Sequence, residues 1–72
     1  MEPPSRPMSD AKRPLRLIRL AEVKYRTGLS TPTIYRRMRA GTFPKSYRIG
    51  ASIVAWSEAE VEAWITSALT RQ

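Results

Sequence analysis

Three arginines fall within four residues, Arg36, Arg37 and Arg39, and hydroxyl-bearing residues Ser30, Thr31 and Thr33 precede them in the same segment. A guanidinium carries five N–H donors in a planar fork that fits phosphate oxygens and the paired N7 and O6 acceptors of guanine. Threonine adds a hydroxyl and a methyl, and the methyl can meet that of thymine. The chemistry available here is recognition of an acceptor-rich, anionic surface. Bond-making chemistry has little to build on, because the chain holds no His and no Cys. No imidazole base, thiolate nucleophile or zinc-finger ligand set can be assembled. Glu58, Glu60 and Glu62 recur at i,i+2, a spacing that does not stack successive carboxylates on one helical face. They are expected to serve helix capping, the helix dipole and solubility.

The arginines need a helix held at both ends, and the flanking residues provide for one. Gly28 can take the positive φ of a sharp inter-helix turn, and Ser30 can cap the first turn. Pro32 falls where a missing N–H costs nothing, Gly41 supplies a C-terminal stop, and Pro44 prevents resumption. Between them Ile34 and Met38 form an inner stripe. Pro32, Thr33, Arg36 and Ala40 project roughly opposite, with Arg37 and Arg39 on the shoulders. Upstream, Leu15 to Leu20 reads as a brief extended segment, and Ala21 to Thr27 as two helical turns with Leu20 and Val23 inward and Tyr25 flanking them. The two helices and the Gly28 turn make a helix-turn-helix. Downstream, Tyr47 to Ile49 and Ile53 to Trp56 are β-prone around Gly50, Ala51 and Ser52, a hairpin pattern. Ser57 with Glu60 three residues later matches a capping box, and Val61, Trp64, Ile65 and Ala68 recur at helical spacing.

A chain of 72 residues supports one small domain. Residues 1–14 are polar and proline-rich and are expected to form a disordered tail, which leaves residues 15–69 to fold. Thirteen Lys and Arg against six Asp and Glu give a formal charge of +7, so polyanions are the natural partners. The charge is also segregated. Lys24 to Arg48 contains seven basic residues and no acidic one, whereas Glu58 to Gln72 contains three Glu and one Arg. No apolar run of signal-peptide or membrane-spanning length occurs, so a soluble, unprocessed cytoplasmic protein associated with the nucleoid is expected.

For a helix-turn-helix the second helix enters the major groove, where its first turns touch base edges. Thr31, Thr33, Arg36 and Arg37 are the candidates for that contact. Arg36 leads them, because it projects directly away from the Ile34 and Met38 stripe. Arg37 and Arg39 suit the two phosphate walls. Tyr35 can reach a phosphate or close the side of the core with its ring. Lys45 and Arg48 place cations on the hairpin, which can act as a wing on the DNA backbone or minor groove. Trp56 and Trp64 sit in core settings rather than as stacking platforms, and Thr42 and Phe43 read as linker and core plug.

The run from Leu15 to Ile65 resembles the AlpA family of phage and prophage regulators, within the MerR-like and excisionase-like winged-helix group. The residues that carry the likeness are Leu17, Glu22-Val23, Thr27-Gly28-Leu29-Ser30, Thr33-Ile34-Tyr35-Arg36, Gly41-Thr42-Phe43-Pro44, Ile49-Gly50, and Trp56-Ser57 through Glu60-Val61 to Trp64-Ile65. The resemblance implies a transcriptional regulator with Ser30 to Ala40 as recognition helix and the hairpin 47–56 as wing. The expected fold is mainly α with a small β-hairpin, a winged helix-turn-helix in the order strand, helix, helix, hairpin, helix. The expected partner is double-stranded DNA, with an integrase or further copies on adjacent sites as additional partners. No cofactor, membrane or small-molecule substrate is expected. Two other roles stay open at this point: an excisionase that bends attachment-site DNA, and a protein-interaction adaptor.

Overall fold

The structure is a computed structural model that describes residues 15–71. The tail expected over residues 1–14 lies outside the described residues. Six elements follow one another: β1 (Leu17–Ile18), α1 (Leu20–Thr27), α2 (Thr31–Ala40), β2 (Tyr47–Arg48), β3 (Val54–Ser57) and α3 (Glu58–Thr70). Three helices and a small antiparallel sheet form a winged-helix-like fold, in the order expected from sequence.

The sheet runs β1-β3-β2. β2 and β3 are the hairpin, with Tyr47 opposite Ala55 and Arg48 opposite Val54. β1 pairs with the far end of β3, Leu17 opposite Ser57 and Ile18 opposite Trp56. The Glu58 N–H extends this register by donating to the Arg16 carbonyl at 2.9 Å. The start of α1 and the start of α3 are therefore tied to one strand, and the helix-turn-helix is the loop of structure between them.

The core is built from Ile18, Val23, Ile34, Trp56 and Val61, one residue from each element but β2, with Phe43 from the loop after α2. Burial of a side chain such as Ile34 or Val61, both fully enclosed, contributes about 1.5 to 3 kcal/mol. Trp56 is the largest enclosed side chain, and its indole N–H donates to the Pro44 carbonyl at 3.2 Å. Trp64 packs edge-on against Phe43, with ring centres 4.9 Å apart, and donates to the Thr42 carbonyl at 2.8 Å. Both indoles thus fasten the segment that follows α2, as their core settings imply.

Several local expectations change. Tyr25 does not flank the core; it is 85% exposed. It lies two residues beyond Val23, about 200° around the helix, and so faces away from it. Leu20 belongs to α1 rather than to the extended segment, which shrinks to Leu17–Ile18. Ile49 and Ile53 fall outside the strands, although the Ile49 N–H still donates to the Ile53 carbonyl at 2.9 Å and closes the hairpin. Glu58 is buried, which capping and solubility alone do not explain.

Candidate nucleic-acid interface

The turn into α2 is fixed by backbone chemistry. Gly28 ends α1 in the left-handed region at φ 76°, and its N–H donates to the Lys24 carbonyl at 2.8 Å. Thr27 braces the same turn. Its hydroxyl donates to the Val23 carbonyl at 2.8 Å and accepts from the Leu29 N–H at 3.2 Å. None of the expected caps assigns this role to Thr27, although a Thr immediately before the helix-ending Gly is the signal for it. Ser30 then caps α2, its Oγ accepting from the Thr33 N–H at 3.4 Å, with Pro32 in the first turn.

The far end of α2 is closed by a Schellman motif. Gly41, at φ 79°, donates to the Met38 carbonyl at 3.1 Å, and the Thr42 N–H reaches back to the Arg37 carbonyl at 2.9 Å. Both ends of α2 are therefore closed by caps drawn from the helix and its immediate flanks.

Ile34 is fully buried and Met38 half-buried, so the inner stripe stands where the spacing puts it. Pro32, Arg36, Arg37, Arg39 and Ala40 are exposed, and Thr31 and Thr33 are half-buried. Tyr35 is half-buried, its ring edge-on to Trp56 with centres 6.2 Å apart. The packing role of Tyr35 is thus occupied. Ser30, Thr33 and Arg36 are joined directly. Ser30 Oγ donates to Thr33 Oγ1 at 2.9 Å, and Arg36 Nη2 approaches the same oxygen at 3.5 Å. The side chains of Arg37 and Arg39 form no hydrogen bond or ion pair with other described residues.

Of the two cations expected on the hairpin, Arg48 stands on β2, while Lys45 lies two residues before that strand, in the loop that follows α2. Lys45 and Arg48 are exposed, and Arg48 Nη1 donates to the Ala51 carbonyl at 3.3 Å across the hairpin tip. Tyr47, between them, donates to the Glu60 carboxylate at 3.0 Å and so fastens the hairpin to α3. The acceptance of this hydrogen bond by Glu60 raises the Tyr47 phenol above its ordinary value near 10.

One of the seven basic residues counted between Lys24 and Arg48 is already neutralised. Arg26 pairs with Glu22 at 2.8 Å, Glu58 at 2.9 Å and Glu62 at 3.5 Å, while Arg16 stands 3.7 Å from Glu58. Hydrogen bonds donated to Glu22 and Glu58 raise the Arg26 guanidinium above its ordinary value and hold it firmly protonated. The Glu22–Arg26 contact is an i,i+4 pair that spacing alone identifies. The long-range pairs to α3 carry no such local signal. Carboxylates are thus drawn to the α1–α3 side, and the outer face of α2 carries cations with no acid among its own residues.

Residues 16–69 match the family described as the prophage CP4-57 regulatory protein, AlpA. The chain belongs to the AlpA family. The matched span takes in every element of the fold except the last residue of α3. Among its relatives is an uncharacterised protein, ORF88, of Enterobacteria phage P4, 44% identical over 50 residues that cover 69% of this chain and 57% of the relative. Another relative is the DNA-binding transcriptional activator AlpA of Escherichia coli K12, 34% identical over 58 residues, which cover 72% of this chain and 83% of the relative. The chain therefore spans little more than half of the phage P4 protein and most of the E. coli one. No helix among the described residues is long and apolar enough to cross a membrane.

Proposed function

We propose that this AlpA-family chain is a sequence-specific double-stranded DNA-binding transcriptional regulator of a phage or integrated element. The observation that carries the proposal is the outer face of α2: three exposed arginines on a helix capped at both ends, presented by a tight turn, with no acid among them. A helix of this kind fits the major groove, about 12 Å wide, with its first turns on base edges. In this assignment Thr33, Arg36 and Arg37 address bases, with Ser30 and Thr31 beside them at the helix start. Arg39 takes a phosphate, and Tyr35 adds its hydroxyl at the rim. The hairpin serves as wing, with Lys45 and Arg48 on the backbone. The name of the E. coli relative, a DNA-binding transcriptional activator, supports the same role.

The test is selection of bound duplexes from a random pool at about 150 mM salt, where nonspecific phosphate attraction is partly suppressed. An enriched motif is the expected result. Equal affinity and equal salt slope for enriched and starting pools would instead favour an adaptor with only nonspecific DNA affinity.

A further inference from the structure

We infer that Thr33 and Arg36 act together as a donor-only unit whose target in the major groove is guanine, an inference that rests on the DNA-binding role proposed above. Its basis is the hydrogen-bond chain at the start of α2. Ser30 Oγ accepts from the Thr33 N–H at 3.4 Å and donates its own O–H to Thr33 Oγ1 at 2.9 Å. Arg36 Nη2 supplies a second, longer approach to that oxygen at 3.5 Å. A hydroxyl oxygen has two lone pairs and one proton. With Ser30 donating to Thr33 Oγ1 and the Arg36 guanidinium 3.5 Å from the same oxygen, the acceptor side of the hydroxyl faces donors within the helix, and its proton is what remains for a ligand. Arg36 has no acceptor at all, and four of its five N–H groups are not directed at Thr33.

The four base pairs differ in how they meet such a surface. Guanine shows two acceptors and no donor in the major groove, cytosine shows a donor, adenine one of each, and thymine an acceptor beside a methyl. Guanine alone matches a unit that offers two or more donors and no acceptor. Cytosine and adenine each turn an amino group toward donors. Phosphate is also acceptor-only, but Thr33 and Arg36 lie in the first two turns of α2, the part that meets base edges, whereas Arg39 lies in the last turn. Ser30 is then a positioning residue as well as a cap, because it sets the direction of the Thr33 hydroxyl.

The experiment begins with a duplex carrying the selected motif and replaces its guanines singly. 7-Deazaguanine removes the N7 acceptor; inosine removes only the minor-groove amino group. At one or two guanines the first substitution is expected to weaken binding about five- to tenfold and the second to change it less than about twofold. Thr33→Val should lose much of that sensitivity, Thr33→Ser should keep it, and Arg36→Ala should abolish it. A motif without guanine, indifference to 7-deazaguanine, or a Thr33→Val profile equal to the parent protein's would overturn the inference while leaving specific DNA binding intact. That result includes the case in which the unit holds phosphate. Absence of any enriched motif would remove the DNA-reading role itself, and the inference with it.

Discussion

Arg26 Nη2 lies 2.9 Å from Glu58 Oε2, and this contact joins the first helix of the helix-turn-helix to the first residue of α3. The Glu58 side chain is only 10% exposed, and its backbone N–H is bound to Arg16. One residue thus continues the β1–β3 register, sits in the first turn of α3 and anchors α1. The orientation of α1, and through the Gly28 turn that of α2, is set partly by this charge pairing.

Replacing Glu58 by Gln keeps the volume and removes the charge. A hydrogen bond to a charged group contributes about 1.5 to 3 kcal/mol, and in a domain of this size each kcal/mol moves the melting midpoint by about 4 to 8 °C. Glu58→Gln should therefore lower the midpoint by at least about 6 °C in a circular-dichroism melt. Glu62→Gln, whose side chain is 39% exposed, should move it far less. Equal effects from the two variants would count against the burial of Glu58 as the reason.

Gly41 illustrates a cost that contacts do not reveal. A Cβ built there meets nothing within 4 Å, so space is not the constraint; the backbone at φ 79° is. An L-residue in that region costs about 1 to 2 kcal/mol. Gly41→Ala is expected to destabilise by that amount in urea titration, with the denaturant slope unchanged. A neutral result would mean that the Schellman closure is not held in solution.

Much of this fold is legible in the sequence because its signals are local. Ser30, Pro32, Gly41 and Ser57 act through neighbours one to four residues away, so spacing reveals their caps and stops. The Ile34–Met38 stripe likewise places Arg36 on the outside by helical spacing alone. Tyr25 departs from expectation for the opposite reason. An apolar ring near Leu20 and Val23 invites inclusion in the core, yet the helical angle turns it outward. Strand β1 pairs with residues about forty positions later, and Glu58 meets cations from two earlier segments. Those contacts depend on topology, which two-residue strands scarcely announce. The Ser30–Thr33–Arg36 chain lies between these cases: its spacing is visible in the sequence, but the shared oxygen is not.

Tyr47 offers a spectroscopic reporter for the hairpin. Its phenol donates to Glu60 and is held above its ordinary value near 10 by that hydrogen bond, with charge repulsion from the carboxylate and partial burial adding to it. A folded-state value raised above the unfolded one contributes stability that is fully present below the unfolded value and is lost as pH rises through the folded one. In a background with Tyr25 and Tyr35 changed to Phe, the phenolate absorbance of Tyr47 should appear above pH 10. Glu60→Gln should bring the midpoint down toward that value. No difference between the two proteins would show that the hairpin is not fastened to α3 in this way.

The most direct test of DNA reading by α2 compares Arg36→Ala with Arg39→Ala on the selected duplex and on a scrambled duplex of equal length, over a range of salt. Loss of a base contact by Arg36→Ala should cost about 1 to 3 kcal/mol on the selected duplex and little on the scrambled one, relaxing preference at one position. Loss of a phosphate contact by Arg39→Ala should weaken both duplexes alike and reduce the salt slope by about one. If Arg36→Ala leaves affinity and site preference intact, α2 does not read bases through this residue, and the assignment of its outer face as the recognition surface is contradicted.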